Sequence, residues 1–225
     1  MRMPKISGST AIRWTRRHRG NRIANARGVP GTLGCIARTT HDRRAVFLTN
    51  WHVLFGNGAG GSDTAWLIDD AGDARHYTAI GRALHGKIGN VRFNDADYYV
   101  DCAVGSCIDQ SPIAAAAYAT AIPGEFVTKR GAATGTTTGV IVDVAYSSSA
   151  RTDGRTHPTP RQLLIRSLER NHPFSADGDS GAVIVNARNA VVGLLWGANC
   201  HGEGVACHIA PVMQVLNITL DATGA

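Results

Sequence analysis

The sequence predicts an all-β protein: two packed antiparallel β-barrels with a short C-terminal helix. Three observations carry that expectation. Apolar residues fall in short runs bounded by glycine and polar turn residues, and few long segments show the apolar spacing of an amphipathic helix. Glycine is abundant, 26 of 225 residues, in a composition that is 44% hydrophobic and only 18% charged. The runs, about a dozen of them, form two groups on either side of a linker near residues 115–122. The length suits one large domain or two small ones with a sizeable buried core.

Residues 1–28 read as a basic arm. They hold eight of the 23 Lys and Arg and none of the 17 Asp and Glu, so the rest of the chain has 15 basic and 17 acidic residues. The net charge of +6 therefore belongs to the arm. A solvated tail is the default for such a charge run. The alternatives are docking on nucleic acid, acidic lipid or an acidic partner, with Trp14 interleaved among arginines, or an organelle transit segment.

Gly28-Val29-Pro30-Gly31 is a turn cluster and marks the expected start of the first barrel, residues 29–121. Thr32–Ala37 and Ala45–Asn50 flank a polar loop and read as a hairpin, with His52 where the chain leaves the sheet. Short strands are expected at Thr64–Ile68, Tyr77–Leu84 and Val100–Val104. Asp101 is the only charge in that last run and must be paired or hydrogen-bonded if buried. The second barrel and terminal helix take residues 122–225, with strands at Phe126–Lys129, Thr138–Val144, Gln162–Ile165, Ala182–Val185, Ala190–Trp196 and Gly204–Ile209. Pro211–Leu216 can form the helix, with proline in its first turn.

The chemistry converges on Gly178-Asp179-Ser180-Gly181, a small acidic turn between apolar runs. Such a turn leaves a serine hydroxyl uncrowded and lets backbone N–H groups point at one spot, as acyl transfer needs. The bland reading is a hairpin turn. A serine nucleophile also needs a histidine base and a carboxylate to orient it. His52, Asp101 and Ser180 supply these types in a known order.

Thr49-Asn50-Trp51-His52-Val53, Asp101-Cys102-Ala103-Val104 and Gly178-Asp179-Ser180-Gly181 resemble the three motifs of chymotrypsin-like (trypsin-like) serine proteases. Residues 127–140 resemble the second-barrel hairpin of bacterial members, and Gly193-Leu194-Leu195-Trp196-Gly197 the strand bordering their substrate. The resemblance covers about residues 29–220. It implies a serine endopeptidase acting through an acyl-enzyme on a protein or peptide substrate. Ser180 would be nucleophile, His52 base, Asp101 its orienting partner, and the N–H groups of Gly178 and Ser180 the oxyanion hole. Leu195, Trp196 and Gly197 would hold substrate as an added strand. The resemblance calls for no cofactor.

The departures set further expectations. Family zymogens bury a new amino terminus against the Asp before the serine, and Arg27-Gly28-Val29-Pro30-Gly31 offers no such start. Asp179 must then find another partner, or the oxyanion hole forms without processing. Val53 stands where animal members have a disulfide cysteine. Phe174 stands where basic specificity requires Asp, while Gly197 and Gly204 leave room at the pocket walls, so a small or apolar substrate residue is expected.

Three other readings remain open. A catalytically latent fold of this kind would act as a peptide- or partner-binding module. A nucleic-acid-binding module would be led by the arm. Cys200-His201 and Cys207-His208 could offer zinc ligands, or a disulfide between the two cysteines, although the spacing is not a standard zinc pattern. Cys35, Cys102 and Cys107 fall in apolar runs and are expected to pack as small hydrophobes. The odd cysteine count and the lack of an apolar segment after Met1-Arg2-Met3-Pro4-Lys5 lead to an expected cytoplasmic location without a membrane span.

Overall fold

A computed structural model describes residues 20–71, 74–108, 116–152 and 155–220. Its first sheet contains β1 (Arg22–Ala24), β2 (Pro30–Thr32), β3 (Cys35–Thr39), β4 (Ala45–Thr49), β5 (Thr64–Ala71), β6 (Ala74–Phe93) and β7 (Ala96–Ser106). It is completed by β14 (Ile218–Thr219), in the order β14-β3-β4-β7-β6-β5-β1-β2. Only Leu33 and Gly34 separate β2 from β3, yet these strands lie at opposite sides of that order. The sheet must therefore curl round on itself. The second sheet is a closed barrel of β8 (Phe126–Gly131), β9 (Gly135–Thr152), β10 (Arg155–Ser167), β11 (Val183–Asn186), β12 (Val191–Ala198) and β13 (Gly204–His208), in the order β10-β13-β12-β11-β8-β9.

The central strands bury both faces, which is why they read as unbroken apolar runs. Along β4, Ala45 and Phe47 point into the first barrel's core, while Val46 and Leu48 point to a second apolar cluster. That second cluster joins the barrels. It takes Val100, Cys102 and Val104 from β7, Val183 from β11 and Cys207 from β13. Ile209, Val212 and Leu216 of helix α2 (Ile209–Leu216) cover it. Each fully buried aliphatic or Phe side chain here contributes roughly 1.5–3 kcal/mol. Cys35, Cys102 and Cys107 are buried among these apolar residues, as expected.

The boundaries differ from the sequence reading at both ends. Residues 1–19 of the basic arm lie outside the described residues. Its last part, however, belongs to the first barrel: β1 pairs with β2 and β5, and Ile23 is fully buried. The density of arginines on either side masks this short apolar pair. At the other end β14 pairs with β3, so the chain returns to the first barrel after α2. The strands β6 and β9 are also much longer than their apolar runs, because their outer halves pair in hairpins with largely exposed faces.

Candidate active site

His52 lies in the short helix α1 (Trp51–Phe55), which starts directly after β4. Asn50 takes the N-cap position but makes no capping bond. Its Nδ2 instead donates to the Asp101 carbonyl on β7, at 2.6 Å. That bond ties the start of α1 to the strand carrying Asp101. The His52 backbone N–H then donates to Asp101 Oδ1 at 3.2 Å, and His52 Nδ1 meets Asp101 Oδ2 at 2.6 Å. Asp101 is almost wholly buried, whereas 35% of the His52 side chain is exposed. Burial pulls the His52 pKa down, but the bond and charge of Asp101 outweigh it, so the imidazole sits above its ordinary value.

Ser180 follows two residues after Gly178, which has φ +101°, and precedes Gly181, at φ +97°. A Cβ on Gly181 would lie 2.2 Å from Thr49 Oγ1 and 2.3 Å from Thr32 O, so this approach needs glycine. Thr32 anchors the turn from the first barrel. Its N–H donates to Ser180 O at 2.8 Å and its hydroxyl to Gly178 O at 2.7 Å. Among the described residues, the N–H groups of Gly178 and Ser180 have no acceptor, while that of Asp179 donates to Ala176 O. The Ser180 hydroxyl donates to Trp196 O at 3.3 Å, and no hydrogen bond joins it to His52.

Asp179 finds its partner inside the protein. Lys129 Nζ lies 2.8 Å from Asp179 Oδ2, with both side chains fully buried. Thr134 Oγ1, Ala133 N, Thr134 N and Ala176 N also donate to this carboxylate, at 2.7 to 3.1 Å. Burial pushes the Asp179 carboxyl up, but Lys129 and Thr134 hold it below the ordinary carboxylate range. The sequence does contain a signal for Lys129: strand alternation places it on the same face as Val127, and both are buried.

A cavity of about 240 Å³ opens between the barrels beside His52 and Ser180. Leu195, Trp196 and Gly197 line it together with Ser175, Ala176, Asp177 and Ala198. Phe174 and Gly204 do not. Phe174 is fully buried in the second barrel's core, and its ring occupies the room beside Gly204, where a Cβ would lie 2.5 Å from Phe174 Cδ1. Phe174 therefore closes space that the sequence reading left open. Gly197 does leave room, with nothing within 4 Å of an added Cβ.

The remaining candidates do not converge. Cys200 and Cys207 form no disulfide with each other. Cys200 is exposed, whereas Cys207 is buried and accepts the Asp101 backbone N–H at 3.3 Å. Burial pushes the Cys102 and Cys207 thiols up, away from the thiolate form a nucleophile requires. Among the described residues, no group of three or more His, Cys, Asp and Glu could hold a metal ion, and no helix is long and apolar enough to cross a membrane.

No family model and no curated protein matches the chain. Solved structures do. A Nocardiopsis protease, NAPase, superposes with a TM-score of 0.58 at 16% identity, over 90% of this chain and 97% of its own. A glutamic acid-specific serine protease that uses a histidine triad in substrate binding gives 0.59 at 19%, over 90% and 98%. The Rv3671c protease of M. tuberculosis in its active form gives 0.54 at 18%, over 100% and 99%. The fold is chymotrypsin-like. At these identities the likeness shows the fold alone. Within a chymotrypsin-like fold, the cleft between the barrels is where His52, Asp101 and Ser180 lie.

Proposed function

We propose that the protein is a serine endopeptidase that cleaves peptide bonds through an acyl-enzyme intermediate. The observation that carries this reading is the 2.6 Å contact of His52 Nδ1 with buried Asp101, beside a cavity that Ser180 shares. Ser180 Oγ attacks the scissile carbonyl as His52 Nε2 accepts its proton. Asp101 holds the Nδ1–H tautomer and stabilises the imidazolium. The N–H groups of Gly178 and Ser180 receive the oxyanion, and losing one such donor typically costs about 3–4 kcal/mol of barrier. His52 then passes the proton to the leaving amine, and water attacks the ester by the same route reversed. Lys129 supports the reading by giving Asp179 a cationic partner without a cleaved amino terminus.

For this chemistry Ser180 Oγ must exchange Trp196 O for His52, and such bonds often tighten only with substrate bound. The same observation favours the second reading, a latent chymotrypsin-like fold that binds peptides. A fluorophosphonate probe separates the two. The first reading expects Ser180 to be labelled in the wild type, labelling to vanish in Ser180→Ala, and peptide hydrolysis to vanish with it. An unlabelled, inactive wild type that still binds peptides would establish the second.

A further inference from the structure

We infer that Gln162 is a positioning residue for the substrate-binding edge of the cleft, acting through Trp196. The inference rests on reading Leu195-Trp196-Gly197 as the strand that holds an extended peptide. The pairing of β12 supports that edge. Its register with β11 stops at Val183 and Leu194, so the strand has no β11 partner from Trp196 onward. Its other edge pairs with β13, but the register shifts between Leu195 and Gly197, leaving Trp196 in a bulge. A bulged residue is not aimed by the ladder, and its side chain needs another restraint.

Gln162 supplies that restraint. It is fully buried and sits between two register shifts of β10 against β9, directly after Arg161 at φ +50°. Its Oε1 accepts the Trp196 indole N–H at 2.7 Å. Its Nε2 donates to Tyr99 O at 2.9 Å and Pro160 O at 3.0 Å. The assignment is forced, since an indole N–H can only donate and a carbonyl can only accept. Tyr99 lies two residues before Asp101, and its ring meets that of Trp196 with centroids 5.2 Å apart. One buried amide thus joins the peptide-holding edge in the second barrel to the strand that carries Asp101 in the first. On that reading the segment it aims pairs with an extended peptide, so Gln162 governs affinity for extended chains rather than the bond-breaking step.

The test compares long and short ligands. Gln162→Met keeps the side-chain volume and removes both polar ends. Relative to wild type, kcat/KM for an extended hexapeptide should fall about 10- to 100-fold, mostly through KM. An N-acetyl amino-acid ester with the same residue at the cleavage site should change by less than about twofold. These figures correspond to losing one or two buried hydrogen bonds from the longer ligand alone. If Gln162→Met does not fold, Trp196→Phe, which keeps a ring but removes the donor, should weaken hexapeptide binding about 10- to 100-fold. In a Ser180→Ala background, hexapeptide affinity measured by fluorescence anisotropy should weaken with either change. That readout does not depend on turnover, so it separates failure of this inference from failure of the protease reading. Equal losses on ester and hexapeptide, or unchanged hexapeptide binding, would overturn it.

Discussion

Lys129→Met is the most direct probe of how the Gly178–Gly181 turn is held. The substitution keeps the stem and removes the ammonium that lies 2.8 Å from the fully buried Asp179 carboxylate. Stripping one partner from a buried ion pair typically costs 3–5 kcal/mol, because the other charge stays behind unpaired. Asp179 would keep the donors Thr134 Oγ1, Ala133 N, Thr134 N and Ala176 N. The expected loss is therefore at the low end, about 3 kcal/mol. For a chain of this size it lowers Tm by about 6–12 °C. The loss should also depend on pH. In the wild type, Asp179 is held below the ordinary carboxylate range, so its stabilisation is present above that range and is lost as pH falls through the folded-state pKa. Without Lys129 the folded-state pKa moves up, and the protonated acid becomes tolerable in the core. The gap between variant and wild type should then be largest at neutral pH and shrink towards pH 4. Urea unfolding at both pH values measures it, and kcat/KM reports whether Gly178 and Ser180 keep their places. A neutral-pH deficit below about 1 kcal/mol, or a gap that does not narrow on acidification, would refute the claim that this ion pair holds the turn.

Other expectations concern the reacting groups and the cleft. If the protein is the proposed protease, His52 must be neutral to accept a proton; since Asp101 raises its pKa, kcat/KM should climb with pH through an apparent pKa above the ordinary imidazole value. Asp101→Asn should cut kcat by about 10⁴-fold, which a pH–rate profile and single-turnover kinetics would detect. Thr32→Val leaves Gly178 O and Ala132 N without the buried hydroxyl they share, so it should destabilise the protein by about 1–3 kcal/mol in chemical denaturation. Gly204→Ala should destabilise by about 1–3 kcal/mol, because its Cβ would collide with Phe174. Gly197→Ala meets nothing and should leave the melting temperature unchanged, yet lower peptide turnover by narrowing the cavity; equal thermal losses in the two glycine variants would contradict this contrast.

Much of the fold was legible because strands buried on both faces leave unbroken apolar runs, as at Ala45–Thr49 and Val183–Asn186. The exposed outer halves of β6 and β9 leave no such trace, so their length was not readable. Ile23 was hidden by neighbouring arginines, although tertiary packing buries it completely. His52, Asp101 and Ser180 were found because each sits in a distinctive local context. The contacts of Gln162, Thr32 and Cys207 with Tyr99, Trp196, Gly178, Thr49 and Asp101 were not readable, because these pairs lie 17 to 146 positions apart.

The sequence by itself determined the strand-rich class, the two groups of strands and the three residue types a serine hydrolase needs, in a workable order. These depend on short-range patterns: apolar runs, glycine turns and lone polar residues among apolar neighbours. Only the tertiary structure decided which charge meets Asp179 and whether Phe174 lines the cavity or fills the core beside it. It also decided that Gln162 of β10 accepts the indole N–H of Trp196. Each of those outcomes depends on which side chains share a low-dielectric interior, and burial makes the choice of partner costly to change.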